Sequence, residues 1–315
     1  MKLLMPLSPI IKQSFLRDRK TRKESGFIKE AIENFYRDNP GNWRASYPGL
    51  SAKRLLFEYE SFLGHFQSTT SPGQHQEQNQ TIWKSFKQLL IDGVPLQYIS
   101  HQSYFYNSEF YVDERVLIPR QETELLVEQA IKEVNTHSQE TIEIAEVGVG
   151  PGTIALSLLQ EIENKTVTYY ASDYSKDALE VFKINHFKLG FKISSKHQIK
   201  VDLRDRLSDF EKRVDIILSN PPYIKTKADK AGVHHQVLLH EPHEALFIDD
   251  DIYDKWFEDF FNQCFNSLKE NGVFLMEGHE DHLQKQREQL EKIFNKEAEL
   301  IQDLTQRDRF LLIRK

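Results

Sequence analysis

From Thr141 onward, short apolar runs alternate with segments of helical spacing, and this alternation limits the possible folds more than any other feature of the chain. Ile142–Val147 reads as a strand, Thr153–Gln160 as a helix, Thr166–Ala171 as a strand and Lys176–Lys188 as a helix. Ile199-Lys200-Val201 marks a third strand, Val214–Leu218 a buried one, and Val273–Glu277 and Arg309–Ile313 two late ones. Asp254–Lys269 has the strongest helical period, with Trp256, Phe257, Phe260, Phe261, Cys264, Phe265 and Leu268 on one face. The expected fold class is α/β, a mostly parallel sheet with helices on both faces. In such sheets ligands collect at the carboxyl ends of the strands.

Ser219-Asn220-Pro221-Pro222-Tyr223-Ile224 leaves one of those ends. The Asn220 side-chain carbonyl is a neutral acceptor, and the Pro221 main-chain carbonyl is a second one, aimed by the rigid rings around it. Two acceptors converging on an NH2 group take up its hydrogens and leave the nitrogen lone pair free to face an electrophile. Tyr223 offers an aromatic face to a flat group such as an amide or a base. The plainer reading of the same residues is a proline-rich turn.

Glu146-Val147-Gly148-Val149-Gly150-Pro151-Gly152 links the first strand to the first helix, and its glycines allow a sharp turn close to a ligand. Asp173 lies about twenty residues on, where an acid accepts the hydroxyls of a ribose. Asp202 lies at the exit of the third strand, where a purine edge would sit. The loop lacks the Gly-x-x-Gly ending of the dinucleotide fingerprint, so nicotinamide binding is the weaker reading and a plain turn stays open.

The first hundred residues differ in character. They carry 14 Lys and Arg against 9 Asp and Glu; with 41 and 48 in the whole chain, the remainder holds 27 against 39. A basic front suggests an acidic partner, either nucleic acid or protein. Helical spacing at Ile28, Ala31, Ile32 and Phe35, then from Ala52 to Phe66, then from Ile82 to Leu90, predicts a small bundle. The expected organisation is an N-terminal helical domain over residues 1–97 with a mobile loop at 67–81, a β-hairpin linker at 98–120 and a main domain over 121–315. The hairpin is read from Tyr104-Phe105-Tyr106 and Phe110-Tyr111-Val112 around the polar Asn107-Ser108. Cys264 is the only cysteine and is expected to be a core residue. His234, His235, His240 and His243 lack the spacing of a metal site, and no metal is expected. No run approaches the roughly 18 apolar residues of a membrane span. Pro6 interrupts the start of the chain too early for a secretory segment, so a cytoplasmic monomer is expected.

Together, Ile118-Pro119-Arg120-Gln121-Glu122-Thr123-Glu124, Glu146–Gly152, Asn220–Tyr223, Glu241-Pro242, Ala245-Leu246 and Asp303-Leu304 with Asp308-Arg309-Phe310 resemble the PrmC/HemK family. These are protein-(glutamine-N5) methyltransferases that modify the Gly-Gly-Gln loop of class I peptide chain release factors. The resemblance runs from about Asp92 to the end and implies a Rossmann-like methyltransferase domain behind a small substrate-recognition bundle. It implies that Gly148, Val149, Gly150, Pro151 and Gly152 line S-adenosylmethionine, that Asp173 holds its ribose, and that Asp202 and Leu203 flank the adenine. Asn220, Pro221, Pro222 and Tyr223 would bind the substrate glutamine, with Asn220 also near the cofactor and Asn220, Pro221 and Tyr223 carrying the chemistry. The chain departs from the pattern twice: Glu146 stands where many members have Asp, and Phe247–Asp251 stands where a glycine-rich turn is usual.

Two other readings remain at this level. Asn-Pro-Pro-Tyr also serves DNA adenine and RNA guanine methyltransferases, although an acidic catalytic region disfavours tight phosphate contact and no stable nucleic-acid complex is expected. A non-catalytic S-adenosylmethionine-binding partner of the translation machinery is the third.

Overall fold

The computed structural model describes residues 32, 34, 35, 46, 47, 49–64, 75–208, 210 and 213–315, and it divides into two compact units. The first comprises the chain up to His101 together with the short helix His235–His240. Its helices are α1 (Ala52–Gly64), α2 (His75–Ile91) and α3 (Leu96–Ser100). The stripe read from the sequence is its core: Leu55, Tyr59, Ile82, Phe86 and Leu90 are buried. Tyr59 stands edge-on to both Trp83 and Phe86, each with ring centroids 5.1 Å apart. Gln236 Nε2 donates to Gly93 O at 2.8 Å, tying the later helix to the turn after α2. Of the expected helix around 25–37, only Ile32, Asn34 and Phe35 are described, all helical; residues 67–74 of the expected loop lie outside the described residues. Residues 75–81 are helical backbone in α2. Their Gln and Glu are good helix formers, which the apolar period alone did not register.

The second unit runs from Gln102 to His234 and from Glu241 to Lys315. It opens with the expected hairpin, β1 (Ser103–Phe105) and β2 (Ser108–Phe110). The hairpin belongs to this unit, because Phe105 and Phe110 are buried in the same core as the helices that follow. Those elements are α4 (Thr123–Thr136), β3 (Thr141–Val147), α5 (Thr153–Glu161), β4 (Thr166–Asp173), α6 (Lys176–Leu189), β5 (Gln198–Leu203), β6 (Val214–Ser219), β7 (Ile224–Lys225) and β8 (Phe247–Ile248). After them come α7 (Tyr253–Ser267), β9 (Leu268–Glu277), α8 (Glu280–Phe294), β10 (Glu299–Gln302) and β11 (Asp308–Arg314).

Seven strands form one sheet in the order β10-β11-β9-β6-β3-β4-β5. The five from β9 to β5 are mutually parallel; at one edge β11 runs antiparallel to β9, and β10 antiparallel to β11. The alternation of strand side chains divides the interior into two layers. Ile144, Ile216, Leu218 and Leu275 pack with α4, α5 and α6, while Ala145, Val147, Ile217, Phe274 and Met276 pack with α7 and α8.

Several elements escaped the sequence, among them α3, β7, β8, the helix His235–His240, α8 and β10. The core side of α8 is sparse, with Leu283, Gln286, Leu290 and Phe294 buried among charged neighbours. β10 is a short edge strand with no fully buried residue. β9 also starts at Leu268, five residues before its expected first residue, with a register irregularity opposite Val214–Ile216.

Phe274 is fully buried in the central part of the sheet and touches Phe260 and Phe261 edge-on at 5.7 and 6.0 Å. Phe274→Ala is expected to cost about 3–5 kcal/mol in denaturant unfolding. Leu304→Ala, at an 89% exposed position, is expected to stay within about 0.5 kcal/mol.

Candidate active site

The strand register sets a row of residues along one edge of the sheet. Val147 pairs with Ser172 on one side and Ser219 on the other, Ser219 pairs with Met276, and Asp173 pairs with Leu203. One residue beyond Val147, Ser219 and Met276, the chain presents Gly148, Asn220 and Glu277. Together with Asp173 these lie side by side where the chain leaves β3 and β6 toward opposite halves of the sheet. Parallel α/β sheets open a crevice at such a point. Here a cleft of about 540 Å³ is lined by Glu146–Pro151, Thr153, Asp173, Ser219–Pro222 and residues 204–206, among others. That volume lies within the range of small-molecule sites.

The floor is the glycine loop. Gly148, Gly150 and Gly152 have φ of 77°, 51° and 86°. A Cβ on Gly152 would stand 2.6 Å from Phe182 Cδ2, so the loop closes onto α6 only because that position is bare. Gly150 N donates to Asp173 Oδ2 at 2.8 Å and Ser175 N to Oδ1 at 2.8 Å, so Asp173 braces the loop from the next strand. Burial raises the Asp173 pKa against these two amides, with a smaller upward push from Glu244.

Glu146 lies beneath the loop and is fully buried. Tyr169 OH donates to its Oε2 at 2.6 Å, while Oε1 has no hydrogen-bond partner among the described residues. Burial pushes the carboxyl up to about 8, aided by the charge of Asp173; the Tyr169 hydroxyl opposes this, as does, most weakly, the Ala155 amide. A buried acid with one unsatisfied oxygen in a cleft wall suits a polar ligand group.

Asn220 also lines the cleft. Its Nδ2 donates to Thr123 Oγ1 at 3.2 Å, and Thr123 donates in turn to Glu277 Oε2 at 2.6 Å. Tyr223 OH reaches Glu277 Oε1 at 3.3 Å, and Tyr253 OH donates to the Tyr223 carbonyl at 2.9 Å. Burial raises the Glu277 pKa, opposed by the Thr123 hydroxyl, Arg309 and Tyr223. Burial, then Glu277, raises that of Tyr223. A separate tie joins two sequence motifs: Arg120 Nη2 donates to Glu241 at 2.8 and 2.9 Å, and Ile118 N donates to the same carboxylate at 3.2 Å.

The structure therefore gathers Gly148, Val149, Gly150, Pro151, Asp173, Asn220, Pro221 and Pro222 around one cleft, with Gly152 capping α5 just behind the loop. It does not bring in Asp202 or Leu203. Asp202 is half exposed and paired with Arg204, Leu203 is exposed, and Arg204, Asp205 and Arg206 line the cleft at that strand exit. Tyr223 is also outside the lining, its hydroxyl turned to Glu277. Sequence reasoning gave no role to Thr123 or Glu277. The available signal was an acid closing a buried strand in line with Asn220.

A glycine loop, a braced acid and an Asn-Pro-Pro turn on neighbouring ends of such a sheet define a Rossmann-like methyltransferase. Residues 121–253 match the family model of the methyltransferase small domain. The chain is similar to a release factor glutamine methyltransferase of Bacillus cereus, 33% identical over 201 residues that cover 62% of this chain and 68% of that one. The counterpart from Flavobacterium psychrophilum is 32% identical over 234 residues, covering 73% and 79%, and that from Streptococcus pneumoniae 35% over 235 residues, covering 74% and 76%. The chain belongs to the PrmC/HemK family of release factor glutamine methyltransferases.

Between the ordinary glutamate value of 4.5 and about 8, native Glu146 holds a proton that the unfolded chain has released. Stability of the ligand-free protein should therefore fall as pH rises through that window, by at most about 1.4 kcal/mol per pH unit from this group. Glu146→Gln removes that contribution. Denaturant unfolding of both proteins between pH 5 and 8 is expected to show the variant gaining on the wild type as pH rises; parallel curves would contradict the assignment.

Proposed function

We propose that this enzyme transfers the methyl group of S-adenosylmethionine to the side-chain amide nitrogen of the glutamine in the Gly-Gly-Gln motif of class I peptide chain release factors. The observation that carries this reading is the orientation of Asn220. Its NH2 is given to Thr123, which leaves Oδ1 as the side-chain polar atom without a protein donor among the described residues. A neutral acceptor at that place suits a group that donates, such as a primary amide.

The residues fit the cofactor. The bare glycine loop admits close approach of a ligand to backbone, Asp173 stands beside it for the ribose hydroxyls, and the unpaired Oε1 of Glu146 offers a polar atom at the cleft wall. Arg204–Arg206, rather than Asp202 and Leu203, form the wall at the third strand exit and would flank the base. S-adenosylmethionine supplies a methyl group on a sulfonium, an electrophile strong enough for a poor nucleophile. Asn220 Oδ1 and the Pro221 carbonyl take the two amide hydrogens and turn the nitrogen lone pair outward. The glutamine nitrogen would gain the methyl as the bond from that methyl to sulfur breaks, leaving a neutral thioether, and would release one proton to solvent.

Alignment is the main task of the protein here. Positioning contributes about 7–11 kcal/mol in favourable cases, against about 0.5–1.5 for a single net hydrogen bond. The basic N-terminal region suits recognition of the release factor, and Tyr223 acts from behind Asn220 through Glu277. A nucleic-acid target is the less favoured reading, because the chain beyond residue 100 is acidic.

Incubating the enzyme with S-adenosylmethionine and a class I release factor should add a single methyl to the Gly-Gly-Gln glutamine, read by mass spectrometry of the peptides. Methyl transfer to DNA or ribosomal RNA in its place would overturn the assignment. Asn220→Ala is expected to lower single-turnover methyl transfer by roughly 10²-fold or more while changing cofactor affinity little.

A further inference from the structure

We infer that Thr123 and Glu277 form a polarity lock that fixes which end of the Asn220 amide faces the substrate, and that this lock is what lets the site select glutamine over glutamate. The inference rests on the proposed glutamine chemistry.

An asparagine amide is nearly symmetrical in shape, so packing alone does not choose between its oxygen and its nitrogen. The choice must come from the polarity of its hydrogen-bond partner. Thr123 Oγ1 has one proton, and in this structure the proton is committed to Glu277 Oε2 at 2.6 Å. With its only donor spent, the hydroxyl can serve Asn220 only as an acceptor, and it accepts from Nδ2. The Asn220 oxygen is then left for the substrate. Glu277 is held as an acceptor from its other side, where Tyr223 OH donates to Oε1. It is 1% exposed, so water does not compete for these lone pairs.

The chain of donors runs one way, from Asn220 through Thr123 to Glu277, and its sign is set at the carboxylate. A glutamine at 277 could give its own NH2 to Thr123. The hydroxyl proton could then turn to Asn220 Oδ1, and the Asn220 NH2 would face the cleft. A site with a donor there repels the amide NH2 of glutamine and welcomes the carboxylate of glutamate. Thr123 and Glu277 are thus positioning residues that act through Asn220.

Direct binding separates this lock from general support of the fold. The affinities of two peptides, identical except for Gly-Gly-Gln or Gly-Gly-Glu, are measured with wild type, Thr123→Val, Thr123→Ser and Glu277→Gln. Wild type should prefer the glutamine peptide. Glu277→Gln and Thr123→Val should shift the preference toward glutamate by about tenfold or more, the scale of one buried polar group left unpaired. In methyl transfer the same two variants should lose kcat by roughly 10²-fold, with cofactor affinity unchanged. Thr123→Ser, which keeps the hydroxyl, should restore most of both properties. An unchanged Gln/Glu preference in folded Glu277→Gln, or a Thr123→Ser protein as impaired as Thr123→Val, overturns the lock. Failure of the wild type itself to methylate glutamine would instead overturn the functional reading, and that is seen before any variant is compared.

Discussion

The parallel pairing of β6 with β3 is the constraint on which the rest of the site depends. Ser219 lies opposite Val147, so the residues after them, Asn220 and Gly148, emerge at the same level. A slip of one residue would put the alternate face of β6 in each core layer and carry Asn220 out of line with the glycine loop. All six residues of β6 are buried, so its apolar side chains alone do not fix the register. Asp215, the single charge among them, marks the register: its Oδ2 accepts from Glu143 N at 2.8 Å and from Lys269 Nζ at 3.0 Å. The same pairing that stabilises the sheet thus aligns the acceptors at its edge.

Much of this was legible in the sequence because the sheet interior writes a strong signal. The runs at 142–147 and 214–218 and the aromatic face of 254–269 each announce burial, and the observed elements differ from them by a residue or two at their ends. The α8 helix was not legible because its core face is four residues wide and includes Gln286, which donates to Tyr253 OH at 3.1 Å. A polar residue that is buried because it has a partner looks, in sequence, like one that is exposed.

The candidate site divides in the same way. Gly148–Gly152 and Asn220–Pro222 could be placed because their residue types are unusual and local in effect. Asp202 and Leu203 lie outside the cleft lining for a geometric reason. Leu203 pairs with Asp173, so the residue that steps past the edge of the sheet is Arg204, whose N donates to Asp173 O at 2.8 Å. The contacts of Thr123 and Glu277 lie 154 positions apart in sequence, and no local pattern in a single chain could have joined them.

The distribution of charge around the cleft follows from the chemistry that an amide nitrogen requires. A carboxylate at position 220 would accept hydrogen bonds more strongly than asparagine, but it would also bring a negative charge beside a sulfonium, favouring the ground-state cation over a transition state in which that charge is being lost. At Asn220 the acid is held one step back. Glu277 sits behind Thr123, and Glu146 lies beneath the loop with its carboxyl pushed up to about 8 by burial. In the proposed reaction a neutral oxygen would meet the substrate, and the carboxyl group behind it would govern orientation without touching the reacting atoms. Strong acceptance is thereby separated from charge, which a single aspartate could not achieve.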